Sequence, residues 1–399
     1  MEATMNTRPI YLDNLATTAV DQRVLEAMLP YFSQQGGNPS SNAHVYGWEA
    51  AAAVQQARET IAAAIGATPA EIIFTSGATE ANNLAIKGVA EAYLHQGKHI
   101  ITVETEHAAV LEPCRYLESL GFSVTYLPVQ PDGLVDLIEL EQAFRPDTIL
   151  VSIMAANNEI GVLQPLQAIG TLCRQHQVLF HTDAAQAIGK IPLHVQTLNI
   201  DLMSITAHKI YGPKGIGALY VRRREPRVQL AAQLHGGGQE RGLRSGTLPT
   251  PQIVGLVKAI ELSLAEQESE SQRISSLRQR LWEQIGNLEG VYLNGHPSQH
   301  LPGCLNVSFT GVDGSALLLG LQSVAAVSSG SACSSAKTTP SHVLTALGRS
   351  AELAHASIRF GIGRFNTAAE IDRVAEQVIT VVKALRSSRT DQVTTPARI

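Results

Sequence analysis

Ile72-Ile73-Phe74-Thr75-Ser76-Gly77-Ala78-Thr79-Glu80 joins a β-prone apolar run to a tight turn and a helix start. Behind it, Ala81, Leu84, Ala85, Gly88, Val89 and Ala92 recur at the i, i+3, i+4 spacing of a helix laid on a sheet. The small residues in that stripe allow close approach. Working outward, the same alternation continues, with strands expected near Ile72–Thr75, Ile100–Val103, Val124–Pro128, Ile149–Met154, Val178–Thr182, Leu202–Thr206 and Gly217–Val221. Several are apolar along their whole length, which suits strands covered on both faces. The pattern predicts an α/β fold with a mostly parallel seven-stranded sheet. The stretch from Ala207 to Ile216 is too short for a helical crossover. Gly217–Val221 is therefore expected to run antiparallel to the rest.

The composition changes after Pro249. Helical patterns cover about Gln252–Leu288, and Glu, Gln and Ser cluster around Gln267–Ser276, where a domain boundary or helix junction is expected. A smaller α+β unit follows, with strands near Leu305–Phe309, Val324–Ser328 and Ser357–Phe360. Thr367 can cap a last helix ending near Leu385, and a frayed tail is expected from Ser387. The expected division is a large domain over 19–260 and a small one formed by 1–18 and 261–399.

The chain has 399 residues, 44% hydrophobic and only 16% charged. Charge this far below the roughly 25% of typical soluble domains implies much buried surface. A net charge of −5 gives no electrostatic case for a nucleic-acid partner. Cys114, Cys173, Cys304 and Cys333 are scattered, with no C-x-x-C pair. No structural metal site or secreted disulfide framework is expected, and the cytoplasm is the expected location. The first twenty residues lack the apolar core of a signal peptide, and no run approaches the roughly 18 apolar residues of a membrane span.

Candidate chemistry clusters where the sheet should end. The turn at Ser76–Glu80 leads onto a helix N-terminus, whose free N–H groups and dipole favour an anion. It lacks G-x-G-x-x-G, which argues against a dinucleotide site. Asp183 follows one apolar strand, at the edge where open α/β sheets bind ligands. Lys209 follows another, in Thr206-Ala207-His208-Lys209. A desolvated lysine can form a Schiff base. An anion cradle, a carboxylate for a ring nitrogen and an imine-forming lysine are what pyridoxal 5'-phosphate requires.

The chain resembles the NifS/IscS-type cysteine desulfurases, a group of fold-type I, class V aminotransferase-like pyridoxal-phosphate enzymes. The resemblance runs from Tyr11-Leu12-Asp13-Asn14 to about Leu385. It includes Thr75–Glu80, Asn157-Asn158-Glu159-Ile160-Gly161, His208–Gly215, His235-Gly236-Gly237-Gly238, Arg244-Ser245-Gly246-Thr247 and Ser329-Gly330-Ser331-Ala332-Cys333. It implies that Lys209 anchors the cofactor and moves the Cα proton, that Asp183 pairs with the ring nitrogen, and that Gln186 bonds the ring hydroxyl. His107 would stack on the ring and handle protons near the substrate sulfur. Ala78, Thr79, Thr206 and His208 would hold the phosphate, joined by Thr247 from a second subunit of a homodimer. Asn158 and Arg359 would face the substrate carboxylate.

The same resemblance makes Cys333 the sulfur acceptor and a candidate transient iron–sulfur ligand. It lies among Ser328, Ser329, Gly330, Ser331, Ala332, Ser334 and Ser335, with no helical stripe to bury it. The implied reaction converts L-cysteine to L-alanine and leaves a persulfide on Cys333, to be passed to a sulfur-acceptor protein such as an iron–sulfur scaffold. A cysteine/selenocysteine lyase or a related aminotransferase is the alternative, and either would leave Cys333 without a chemical role. Ser387–Ile399 departs from the ending of IscS-like relatives, so scaffold docking is expected to be weak or different.

Overall fold

The computed structural model describes residues 8–329 and 340–394, with side-chain surroundings as far as Ser388. In chain order the strands are β1 Ile10–Tyr11, β2 Ile72–Thr75, β3 His99–Val103, β4 Ser123–Leu127, β5 Thr148–Ser152 and β6 Leu179–Asp183. They continue as β7 Leu202–Thr206, β8 Gly217–Val221, β9 Val291–Leu293, β10 Cys304–Phe309, β11 Ala325–Ala326 and β12 Ser357–Gly361.

The central sheet has seven strands in the order β2-β8-β7-β6-β5-β3-β4. The β7–β6, β6–β5, β5–β3 and β3–β4 pairs are parallel. Only β8 runs against its neighbours, as its short connection to β7 requires. Every residue of β2, β3, β5, β6, β7 and β8 is buried, whereas the edge strand β4 is partly open. Alternate residues feed two cores, as the two-residue period of a strand dictates. Phe74, Ile101, Phe180, Met203 and Tyr220 enter one, and Ile73, Ile100, Leu179, Leu202 and Leu219 the other. The helix Ala78–Ala92 lies on the second face through Ala81, Leu84, Ala85 and Val89.

A further core gathers Leu12, Ile274, Leu281, Leu305, Phe309, Phe360 and Val378 around the antiparallel sheet β12-β10-β9. Several expectations need correction here. The strand expected near Val324–Ser328 is shorter than that and is not one of this sheet's three strands. That strand, β11, is only Ala325–Ala326 and pairs in parallel with β1, while Ser328 makes a single bridge to Arg359. The third place goes to β9, a three-residue edge too short to stand out in sequence. Of the two alternatives expected at Gln267–Ser276, the helix junction does not occur, because one helix runs unbroken over Thr250–Ile285. Its first half packs on the large core through Ile253, Leu256 and Ile260, and its second on the smaller core through Ile274, Leu277 and Leu281. The polar cluster is simply the stretch that passes from one core to the other. The last helix, Ala368–Thr394, also continues past Leu385 and through Ser387. Thr367 does cap it, its hydroxyl accepting from Glu370 N at 3.3 Å.

Candidate active site

The parallel strands end on one edge of the sheet, and a cleft of about 500 Å³ opens there. Ala78, Thr79, His107, Asn158, Asp183, Gln186, Thr206, His208 and Lys209 all line it. The topology explains this convergence. Asp183 is the last residue of β6 and Thr206 the last of β7, while His107 and Asn158 sit in the connections that leave β3 and β5. Strand C-terminal ends are where open α/β sheets collect ligand-binding residues.

The anion cradle starts at Gly77, whose φ of 152° is strained for a residue with a side chain. A Cβ on the facing Gly217 would stand 2.8 Å from Gly77 Cα, so these backbones meet only because residue 217 is glycine. The helix Ala78–Ala92 then begins without a side-chain cap from Gly77. Its first residues, Ala78 and Thr79, line the cleft beside Thr206, and the first N–H groups of a helix lack intrahelical partners. Glu80, one residue on, turns back to accept from Ser76 N at 2.8 Å.

Asp183 is buried, with Oδ2 accepting from Asn82 Nδ2 at 2.6 Å and Oδ1 from Ala185 N at 2.8 Å. Lys209 Nζ donates to the carbonyls of Leu15 at 2.5 Å and Ala16 at 2.7 Å. The same Leu15 carbonyl accepts from Gln186 Nε2 at 2.7 Å. His107 caps the helix Ala108–Ser119, its Nδ1 accepting from Ala109 N at 3.0 Å. A neutral ring then carries its proton on Nε2. Burial holds His107 below the usual histidine range, with Lys209 and His342 adding to the effect and Asp183 opposing it. His208 shares a hydrogen bond with Thr17 Oγ1 at 3.1 Å. Burial and three nearby lysines, Lys209, Lys214 and Lys190, push it down to about 4.

Arg359 and Thr247 are not among the residues lining the cleft. Arg359 is buried on β12, where Nη1 donates to the Asn158 carbonyl at 2.9 Å and Nη2 to Asp13 Oδ1 at 2.7 Å. It therefore reaches the cleft wall through Asn158. Thr247 is exposed and does not line its own cleft. Cys333 lies outside the described residues. The three described cysteines are buried and free of disulfides, and burial raises all their thiols, Cys114 to about 12 and Cys304 to about 11.

Sequence reasoning missed Asn82, the partner of Asp183, and Thr17, the partner of His208. Asn82 had a signal: a polar residue beside Ala81, flanking the apolar stripe of a packed helix. Thr17 had none, because its partner is distant in sequence. Also missed was Glu106, fully buried and accepting from Met154 N at 2.5 Å. Burial and then Asp183 raise its carboxyl well above the usual range.

An amine, a fixed carboxylate, a buried imidazole and an anion cradle share one cleft. That donor set fits a phosphorylated pyridine aldehyde, and the volume is ample for one.

Comparison with known proteins shows the family. The aminotransferase class-V family model matches residues 10–374. A cysteine desulfurase of Mus musculus is 58% identical over 386 residues, 96% of this chain and 84% of that protein. The cysteine desulfurase IscS of Aeromonas hydrophila is 57% identical over 380 residues, 95% of this chain and 94% of that protein. Among solved structures, SspA in complex with cysteine superposes with a TM-score of 0.80 at 43% identity, covering 90% of this chain and all of the other.

Proposed function

The chain belongs to the aminotransferase class-V family and acts as a cysteine desulfurase, and we propose that it does so with pyridoxal phosphate held on Lys209 and with Cys333 as sulfur acceptor. The observation that carries this reading is the convergence of Lys209, Asp183, His107 and the Ala78–Thr79 turn on one cleft. When bound, the cofactor supplies an electron sink for the substrate Cα.

The protein's own groups do the rest. Lys209 is the attachment point and, once released, the base at the substrate Cα. Asp183, held by Asn82 and Ala185 N–H, keeps a ring nitrogen protonated. Gln186 offers the ring oxygen an N–H. Ala78, Thr79, Thr206 and His208 hold the phosphate. Arg359 meets the substrate carboxylate beside Asn158, its guanidinium oriented by Asp13. His107, with its proton on Nε2, moves protons near the substrate sulfur.

Sulfur transfer balances simply. The Cys333 thiolate bonds to the substrate sulfur, the C–S bond breaks, and its electron pair stays with the substrate carbon. That carbon takes up a proton and leaves as alanine, and Cys333 keeps a persulfide. With Cys114, Cys173 and Cys304 buried and their thiols raised, Cys333 is the cysteine suited to this role.

A homodimer is part of the proposal. Thr247 is exposed and outside its own cleft lining, and Leu29, Phe32, Val45, Tyr46 and Trp48 present apolar surface to solvent. The expected acceptor is a partner protein such as an iron–sulfur scaffold, and the expected setting is the cytoplasm. The test is a visible spectrum of purified protein, followed by incubation with L-cysteine and detection of alanine and protein-bound persulfide. A colourless protein that yields neither product would overturn the reading.

A further inference from the structure

Glu80 is a carboxylate in the first turn of the helix whose N-terminus forms the anion cradle. An acidic side chain there is attracted by the same N–H groups and dipole that attract a phosphate. It is already partly engaged, since its Oε2 accepts from Ser76 N at 2.8 Å. A carboxylate at this position should repel a phosphate and compete with it for donors.

Arg244 meets that carboxylate with a fork. Its Nε donates to Glu80 Oε1 at 2.7 Å and its Nη2 to Glu80 Oε2 at 3.2 Å. The pair is mostly enclosed, with side chains 17% and 18% exposed. Burial pushes the Glu80 carboxyl up, but Arg244 and the Ser76 N–H together hold it below its usual range. Glu80 is therefore ionised, and its charge is answered within the chain.

The segment that carries Arg244 is built to keep it there. Leu234 pairs with Arg244, Ser245 N donates to the Leu234 carbonyl, and Gly246 N donates to Gln239 Oε1 at 2.9 Å. Nearby, Glu240 forms a buried ion pair with Arg58, at 2.6 Å, and accepts from Phe74 N of β2. The segment is thus folded on itself and fastened to β2 through Glu240 and to the cradle helix through Arg244.

We propose that Arg244 is a positioning residue for the cofactor phosphate, neutralising Glu80 and holding its carboxylate off the N–H groups of Ala78 and Thr79. This rests on the phosphate-binding reading of the cleft but asks a separate question. Arg244 need not touch the phosphate. It acts by disarming a competitor built into the same helix turn.

The experiment measures release of pyridoxal phosphate from the holoenzyme during dialysis, by the loss of its visible band. In Arg244→Met, Glu80 stands uncompensated, and retention should weaken by about tenfold. Glu80→Gln alone should retain the cofactor as well as the parent or better. The double variant should recover to within about threefold of the parent, because the competitor and its partner leave together. Arg244→Lys, which keeps the charge without the fork, should stay near the parent and carries the test if Arg244→Met does not fold. A double variant as leaky as Arg244→Met would overturn the proposal and make Arg244 only a tether for its segment. Failure of the underlying reading is distinguishable, since the parent protein would then hold no cofactor at all.

Discussion

The Lys190 amine donates to Gln186 Oε1 at 3.0 Å, while Gln186 Nε2 donates to the Leu15 carbonyl that Lys209 also uses. This chain fixes the Gln186 amide, its oxygen held by Lys190 and its nitrogen by the Leu15 carbonyl. Burial, with neighbouring Lys209, pushes Lys190 down to about 7. Lys190 does not line the cleft, whereas Lys209 and Lys214 do, and Lys209 is the proposed anchor. Borohydride reduction of the loaded protein should therefore label the Lys209 peptide, and Lys209→Ala should lose colour and activity together. Label recovered at Lys190 would reverse the assignment.

Asn82 is the side chain that holds Asp183 Oδ2, at 2.6 Å. Asn82→Leu leaves a buried carboxylate oxygen without its donor, a loss of about 1.5–3 kcal/mol for a hydrogen bond to a charged group. Asp183 is then held less firmly in place against a protonated ring nitrogen. The expected result is a fall in kcat larger than any rise in KM. Unchanged kcat would show that Ala185 N–H suffices to hold the carboxylate.

Cys333→Ser should still bind cysteine and change the visible spectrum, yet form no persulfide. Alanine production should drop by at least about 100-fold, roughly 2.7 kcal/mol of barrier. Serine at Cys114, Cys173 or Cys304 should leave turnover within a few-fold. Normal alanine formation by Cys333→Ser, with sulfide still released, would point to a C–S lyase instead.

Shared active sites predict complementation. Thr247→Asp and Lys209→Ala proteins, each inactive, should partly rescue one another when mixed and refolded. Absence of rescue together with a monomeric mass by light scattering would argue that Thr247 serves no second cleft.

His181 is fully buried between Ser152 Oγ, at 2.8 Å, and Ser204 Oγ, at 3.1 Å, and burial pushes it down to about 4. Its unfolded value is about 6.5, so between these values the unfolded chain binds the extra proton. Stability should fall as pH drops from about 6.5 toward 4, by up to about 3 kcal/mol from this group, and level off below. Denaturant midpoints at several pH values check this, and His181→Gln should flatten the slope. An equal slope in that variant would assign the acid sensitivity elsewhere.

The sequence by itself determined the sheet and its chemistry. Apolar runs such as Leu202–Thr206 read as buried strands because both faces of a parallel sheet are covered. The short link from Ala207 to Ile216 forced β8 to turn back. Asp183, Thr206 and Lys209 were legible as candidates because they sit at or just past strand ends, and strand direction places those ends on one edge. Local periodicity carried no comparable signal for the small sheet, where two- and three-residue strands compete for edges. Nor did it show that the helical pattern over Gln252–Leu288 runs unbroken through Gln267–Ser276, since the chain there changes cores without changing conformation. Only the tertiary structure decided which polar groups hold the candidates. Asn82 reaches Asp183 across 101 residues, Arg244 reaches Glu80 across 164, and Arg359 reaches Asp13 across 346. Such pairings depend on how β6, the Ala78–Ala92 helix and the two cores come together in space, and a one-dimensional pattern records spacing along the chain but not distance across it.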